Sequence, residues 1–83
     1  MAKKITWTDR AKQDVRAIDR LTALDLLHGI ARFLATEEGD VKQLKGTDPP
    51  ELRLRLGDYR ARFYDHGDSI QMLAVRHRKD VYR

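Results

Sequence analysis

The chain is predicted to be an α+β domain of order β-α-α-β-β-β, a two-helix hairpin packed on one face of a mainly antiparallel four-stranded sheet. Three observations predict this. Apolar residues recur at helical spacing up to Gly39, they alternate with period two after Glu51, and glycine-containing turns divide that later stretch into three strands. At 83 residues the chain makes a single domain over residues 1–83, with no room for a second.

Lys3 to Thr8 reads as a short strand with Ile5 and Trp7 on one side. Thr8 or Asp9 can cap the next helix by accepting its unpaired backbone N–H groups. That helix is expected to run to about Arg20, burying Ala11, Val15 and Ile18. A second helix is expected from Thr22, with Leu26, Leu27, Ile30, Phe33 and Leu34 as its apolar stripe and Gly39 as its stop. Gly39 to Pro50 reads as a loop anchored by Leu44. Three strands follow. Gly57-Asp58 fits a two-residue type II′ hairpin turn, His66-Gly67-Asp68 makes the next turn, and the last strand runs from Ser69 to His77.

Alternation puts Leu52, Leu54 and Leu56 on one face with Tyr59, Ala61 and Phe63. Arg53, Arg55, Arg60, Arg62 and Tyr64 then share the other. On the last strand Leu73 and Val75 suit the leucine side, which sends Met72, Ala74 and Arg76 to the arginine side. Five guanidinium groups would thus share one sheet face. Uncompensated like charge costs stability unless a ligand uses it.

The charge distribution agrees. Residues 1–41 hold 7 basic and 7 acidic side chains, whereas residues 42–83 hold 10 and 6, so the net +4 lies entirely in the strand-rich part. Arginine dominates there, and its planar fork suits phosphate oxygens. The chain has no cysteine, which excludes disulfides and thiolate metal sites. His28, His66 and His77 lack metal-ligand spacing, and no cofactor is expected. No apolar run approaches the ~20 residues of a membrane span, and the N-terminus lacks a secretory stretch, so a cytoplasmic protein is expected.

Such a face has a defined chemical reach. Cutting RNA through its own 2′-OH needs a base, stabilisation of the charged phosphorane, and an acid for the leaving oxygen. Arginine serves the second task well. With pKa values above ~12 and near ~10, arginine and tyrosine are poor bases at neutral pH. Activity therefore depends on a setting that orients the substrate, an effect that contributes several kcal/mol.

The segments Leu44-Lys45-Gly46, Leu52-Arg-Leu-Arg-Leu-Gly-Asp-Tyr-Arg60 and Val75-Arg-His-Arg-Lys-Asp-Val-Tyr82 resemble the RelE/ParE superfamily of bacterial toxins. The resemblance covers nearly the whole chain, including Trp7. It implies a toxin of a type II toxin–antitoxin pair, neutralised by a small cognate antitoxin. RelE-type members cut mRNA in the ribosomal A site; ParE-type members poison DNA gyrase. Carried over by position, the RelE-type active site falls on Arg53, Arg55, Arg60, Arg76 and Tyr82, a full set that favours the ribonuclease branch. The first two positions are often lysine in that branch, so here they are expected at least to contact phosphate. His77 is a candidate acid/base, because histidine near the C-terminus has that role in some branches and its unperturbed pKa is near ~6.5. Alternation from Arg76 nevertheless points it toward the helices.

Arg62, Tyr64, Arg78 and Lys45 are expected to extend the RNA-binding footprint. Tyr64 can stack on a base or pack across strands. Tyr59 and Trp7 are expected in the core, and His28 and His66 in structural or exposed positions. Asp9, Asp14 and Asp19 read as an ordinary solvated helix face.

Overall fold

A computed structural model describes residues 3–44, 46 and 48–81. Its elements are β1 (Lys4–Trp7), α1 (Asp9–Arg16), α2 (Arg20–Thr36), β2 (Asp40–Leu44), β3 (Glu51–Leu56), β4 (Tyr59–Asp65), β5 (Ser69–His77) and α3 (Arg78–Val81). The sheet has five strands in the order β1-β5-β4-β3-β2. β1 runs parallel to β5, and the other pairings are antiparallel. The α+β class, the helical hairpin and the last three strands match the expectation, except that α1 stops at Arg16, short of the expected Arg20, so that Ile18 packs from the connection; β2 is a further correction. A five-residue strand stands where a loop was expected, because Val41 and Leu44 do not alternate and carry no strand signal. Val41 lies opposite Leu54 and packs on the core, whereas Leu44 lies opposite Glu51 on the other face.

Both helices start on side-chain caps. The Thr8 hydroxyl accepts the Ala11 N–H at 3.1 Å and itself donates to the Leu73 carbonyl at 3.3 Å. Asp19 Oδ2 accepts the Thr22 N–H at 3.0 Å, so α2 begins two residues before the Thr22 start expected of it. Hydrogen bonds from the Thr22 side chain and backbone hold the Asp19 carboxyl below its usual pKa. α2 ends at Glu37, whose left-handed backbone (φ 59°) sends its N–H to the Phe33 carbonyl. Gly39 has a different task from the stop assigned to it. A Cβ there would lie 3.1 Å from both Leu54 and Phe33, so its bareness lets the chain cross close over the core.

The core lies between the helices and the leucine face, around Phe63, Leu54, Ile70 and Met72. The Phe33 ring meets Phe63 with centroids 5.9 Å apart. The placement of Met72 is a correction. The β4–β5 register runs Arg62↔Ala74 and then Phe63↔Met72, leaving Leu73 as an extra residue, a β-bulge. The bulge reverses the phase of β5, so Ile70 and Met72 point to the core while Ala74 and Arg76 stay on the arginine side.

Two predictions concern this framework. Thr8→Val removes both the cap and the hydroxyl that holds the bulge, and is expected to cost about 1–2 kcal/mol in chemical denaturation; a loss under 0.3 kcal/mol would contradict it. The second concerns Asp65, whose carboxylate pairs with Lys3 at 3.0 Å and accepts the Gly67 N–H at 2.8 Å. Partial burial pushes its pKa up, but Gly67, Lys3 and His66 outweigh that, and the net shift is downward. A lowered folded pKa means stability present above the unfolded value near ~3.9 and lost as pH falls through the folded one. Asp65→Asn should therefore melt below wild type at pH 7, with the gap closing near pH 2. A gap constant across that range refutes the assignment.

Candidate functional site: a basic sheet face

The sheet face opposite α1 and α2 carries the arginines in two cross-strand rows. One row runs Lys42, Arg53, Arg62, Ala74, and the other Asp40, Arg55, Arg60, Arg76. The period-two reading of Arg53, Arg55, Arg60 and Arg62 is the observed register. Neighbouring strands stand ~4.8 Å apart, so the charges are crowded and their partners decide which are available.

The five guanidinium groups are not equivalent. Arg62 Nε and Nη2 both reach Glu51 Oε2 at 2.8 Å, and Glu51 is only 6 % exposed. That pair is close to neutral and structural in character. Arg76 leans to the sheet edge, where its Nε lies 3.6 Å from Asp14 Oδ2. Arg60 Nη1 donates to the carbonyls of Gly57 and Tyr59 at 3.0 Å, which folds it toward the hairpin turn. Arg55 is loosely apposed to Asp40 at 3.9 Å, both well exposed. Arg53 has no acidic partner among the described residues. Arg53, Arg55, Arg60, Lys42 and Asp40 line a shallow open depression of about 200 Å³. The face therefore concentrates its uncommitted charge on β2, β3 and the start of β4.

The other candidates sit elsewhere. The His77 ring meets Tyr59 edge-on, with centroids 5.2 Å apart, on the helix side of the sheet. Its Nδ1 accepts the Lys79 N–H at 3.2 Å. With Arg10, Asp14 and Arg76 it lines a separate cleft of about 500 Å³ beside α1, away from Arg53 and Arg55. Arg78 opens α3 and lies 3.7 Å from Asp58 at the β3–β4 turn. Tyr64 lies on the arginine face between Glu51 and Gln71. Tyr82 and Lys45 fall outside the described residues.

Three contributors were missed in the sequence. Asp14 is no solvated acid. Its Oδ2 accepts the Val75 N–H at 3.0 Å, closing the β5 edge that β1 leaves open, and it draws in Arg10 and Arg76. Glu51 reads as the polar start of a strand, and only the fold shows that it neutralises Arg62. Lys42 reads as a loop lysine because β2 carries no signal. Among the described residues no group of three or more His, Asp or Glu is placed to hold a metal ion, and no helix is long and apolar enough to cross a membrane.

The fold matches that of solved toxin–antitoxin structures. The chain superposes on the RelB–RelE antitoxin–toxin complex of Methanococcus jannaschii with a TM-score of 0.74 at 22 % identity, covering 93 % of this chain and 94 % of that one. The archaeal RelE–RelB complex of Pyrococcus horikoshii gives 0.74 at 21 %, over 94 % and 97 %. The RelBE2 complex of Mycobacterium tuberculosis gives 0.71 at 18 %, over 93 % and 99 %. At these identities what is shared is the fold. No curated protein matches the chain. The model of the ParE toxin of type II toxin–antitoxin systems, parDE, matches residues 5–82, and the chain belongs to that family, within the RelE/ParE superfamily.

Proposed function

We propose that this toxin is a ribosome-dependent endoribonuclease that cleaves mRNA and is neutralised by a cognate antitoxin. One observation carries the reading. Arg53, Arg55 and Arg60, with Lys42 beside them, surround an open depression on the sheet face that α1 and α2 leave bare. A phosphate seated there meets several donors at once, and those donors oppose the charge that grows on the phosphorane. The three solved neighbours are antitoxin–toxin complexes, which supports an antitoxin partner here.

The arginine cluster binds and stabilises; it does not move protons well. His77, the candidate acid/base, faces the opposite side of the sheet. The 2′-OH must then be aligned and activated by the setting of the mRNA in the ribosome. Alignment alone is worth several kcal/mol. Free RNA is accordingly expected to be a poor substrate.

The family match and the displaced His77 favour a second reading, a ParE-like inhibitor of DNA gyrase without nuclease activity. A coupled transcription–translation extract separates the two. Codon-positioned mRNA cuts that need ribosomes support the first. Intact mRNA with impaired supercoiling of a relaxed plasmid by gyrase supports the second and removes the first.

A further inference from the structure

Beyond its arginines, β4 carries the same face onward into an aromatic–amide cluster. The Tyr64 ring meets His66 edge-on, with centroids 6.3 Å apart and an interplanar angle of 68°. His66 Nε2 lies 3.3 Å from Gln71 Oε1. Gln71 is the β5 residue directly opposite Tyr64. As an oxygen, Gln71 Oε1 can only accept, so His66 donates, and the Gln71 amide N–H groups make no hydrogen bond among the described residues.

The cluster is built rather than incidental. The turn holding His66 is fastened by His66 N–H to the Ser69 carbonyl at 2.9 Å and by Asp65 N–H to the Pro50 carbonyl at 2.9 Å. Asp65 ties the same turn to Lys3 and Gly67. Tyr64 and Gln71 are half-buried, which limits their rotamers while leaving a surface to contact. The neutral Arg62–Glu51 pair separates this patch from the cationic depression. Arg60 and Tyr64 are four strand positions, about 14 Å, apart.

A flat π-face beside a free amide donor, at that distance from a phosphate site, has the chemistry of a base subsite. Aromatic side chains hold unpaired bases by stacking, and adjacent polar groups read their edges. We infer that Tyr64, His66 and Gln71 receive one unpaired nucleobase of the RNA, through an edge that carries acceptors. That base belongs to a nucleotide neighbouring the one whose phosphate sits at Arg53, Arg55 and Arg60. The inference rests on the RNA reading of the basic face.

The test is an NMR titration of the full chain at low salt with short single-stranded RNAs. One is intact; in the others a single abasic ribose is moved through each position. Wild type is expected to lose about 10-fold in affinity when one particular position is abasic, in line with base–aromatic stacking. Tyr64→Ala should bind every oligonucleotide at that weakened level, and Tyr64→Phe should keep the loss, which shows that the ring and not a folding defect is responsible. Gln71→Leu should keep the stacking while levelling the ranking among the four bases. If wild type binds intact and abasic RNAs equally while Arg53→Ala weakens both, the base subsite falls and the phosphate reading survives. Binding of none of them overturns both.

Discussion

Arg53→Ala and Arg60→Ala are each expected to lower ribosome-dependent mRNA cleavage by about 10²-fold, in line with the loss of one donor to a developing oxyanion. Thermal stability should hardly change. Among the described residues Arg53 has no acidic partner, and Arg60 bonds to the backbone carbonyls of Gly57 and Tyr59 at the hairpin. Arg53→Lys keeps the charge but not the fork, and should recover part of the loss. Activity should also fall steeply with added salt, because phosphate contacts displace counterions. Primer extension on a reporter mRNA reads both effects. Undiminished cleavage in both alanine variants would exclude the depression as the place where the phosphate reacts.

Arg62→Ala, on the same face, should behave in the opposite way. It removes two 2.8 Å contacts from the Glu51 carboxylate, which is 6 % exposed. Taking these two charge-assisted contacts from a buried carboxylate is expected to cost about 2 kcal/mol. For a domain of this size that lowers the melting temperature by roughly 8–16 °C. The double variant Glu51→Leu with Arg62→Leu should recover most of the loss, since apolar groups of similar volume can replace a buried pair at little cost. Specific cleavage per folded molecule should drop far less than in Arg53→Ala. A melting temperature equal to wild type in Arg62→Ala would show that the pair contributes no stability.

These contrasts mark how much the sequence told. Period-two alternation in Glu51–Tyr64 was strong enough to put four arginines on one face with their cross-strand partners. Glycine placement located the β3–β4 hairpin, and apolar spacing located both helices. What stayed hidden was long-range or lacked a pattern. β2 has two apolar residues that do not alternate. Asp14 looks like any helix-surface acid until β5 is laid beside it. The division of the arginines into paired and uncommitted depends on Glu51, Asp14 and Asp40, which come from three separate elements. Charge counts show how many cations a segment has and say nothing of which ones already have a partner.

The extra residue at Leu73 has a chemical consequence as well as a geometric one. Arg76 and His77 are adjacent, so only one of them can look out beside Arg60. Were Leu73 drawn into the ladder with Phe63↔Met72 kept, the alternation beyond it would invert: Val75 would stand opposite Arg60, and Arg76 would turn to the helix side. His77 would look out only past the strand end, opposite Asp58. The exposed rows would then lose one fixed charge beside Arg60 and gain an apolar side chain in its place. A single hydroxyl, that of Thr8, grips the carbonyl at that point. How much fixed charge this surface gathers is thus decided by one backbone irregularity, with no change in which side chains the chain possesses.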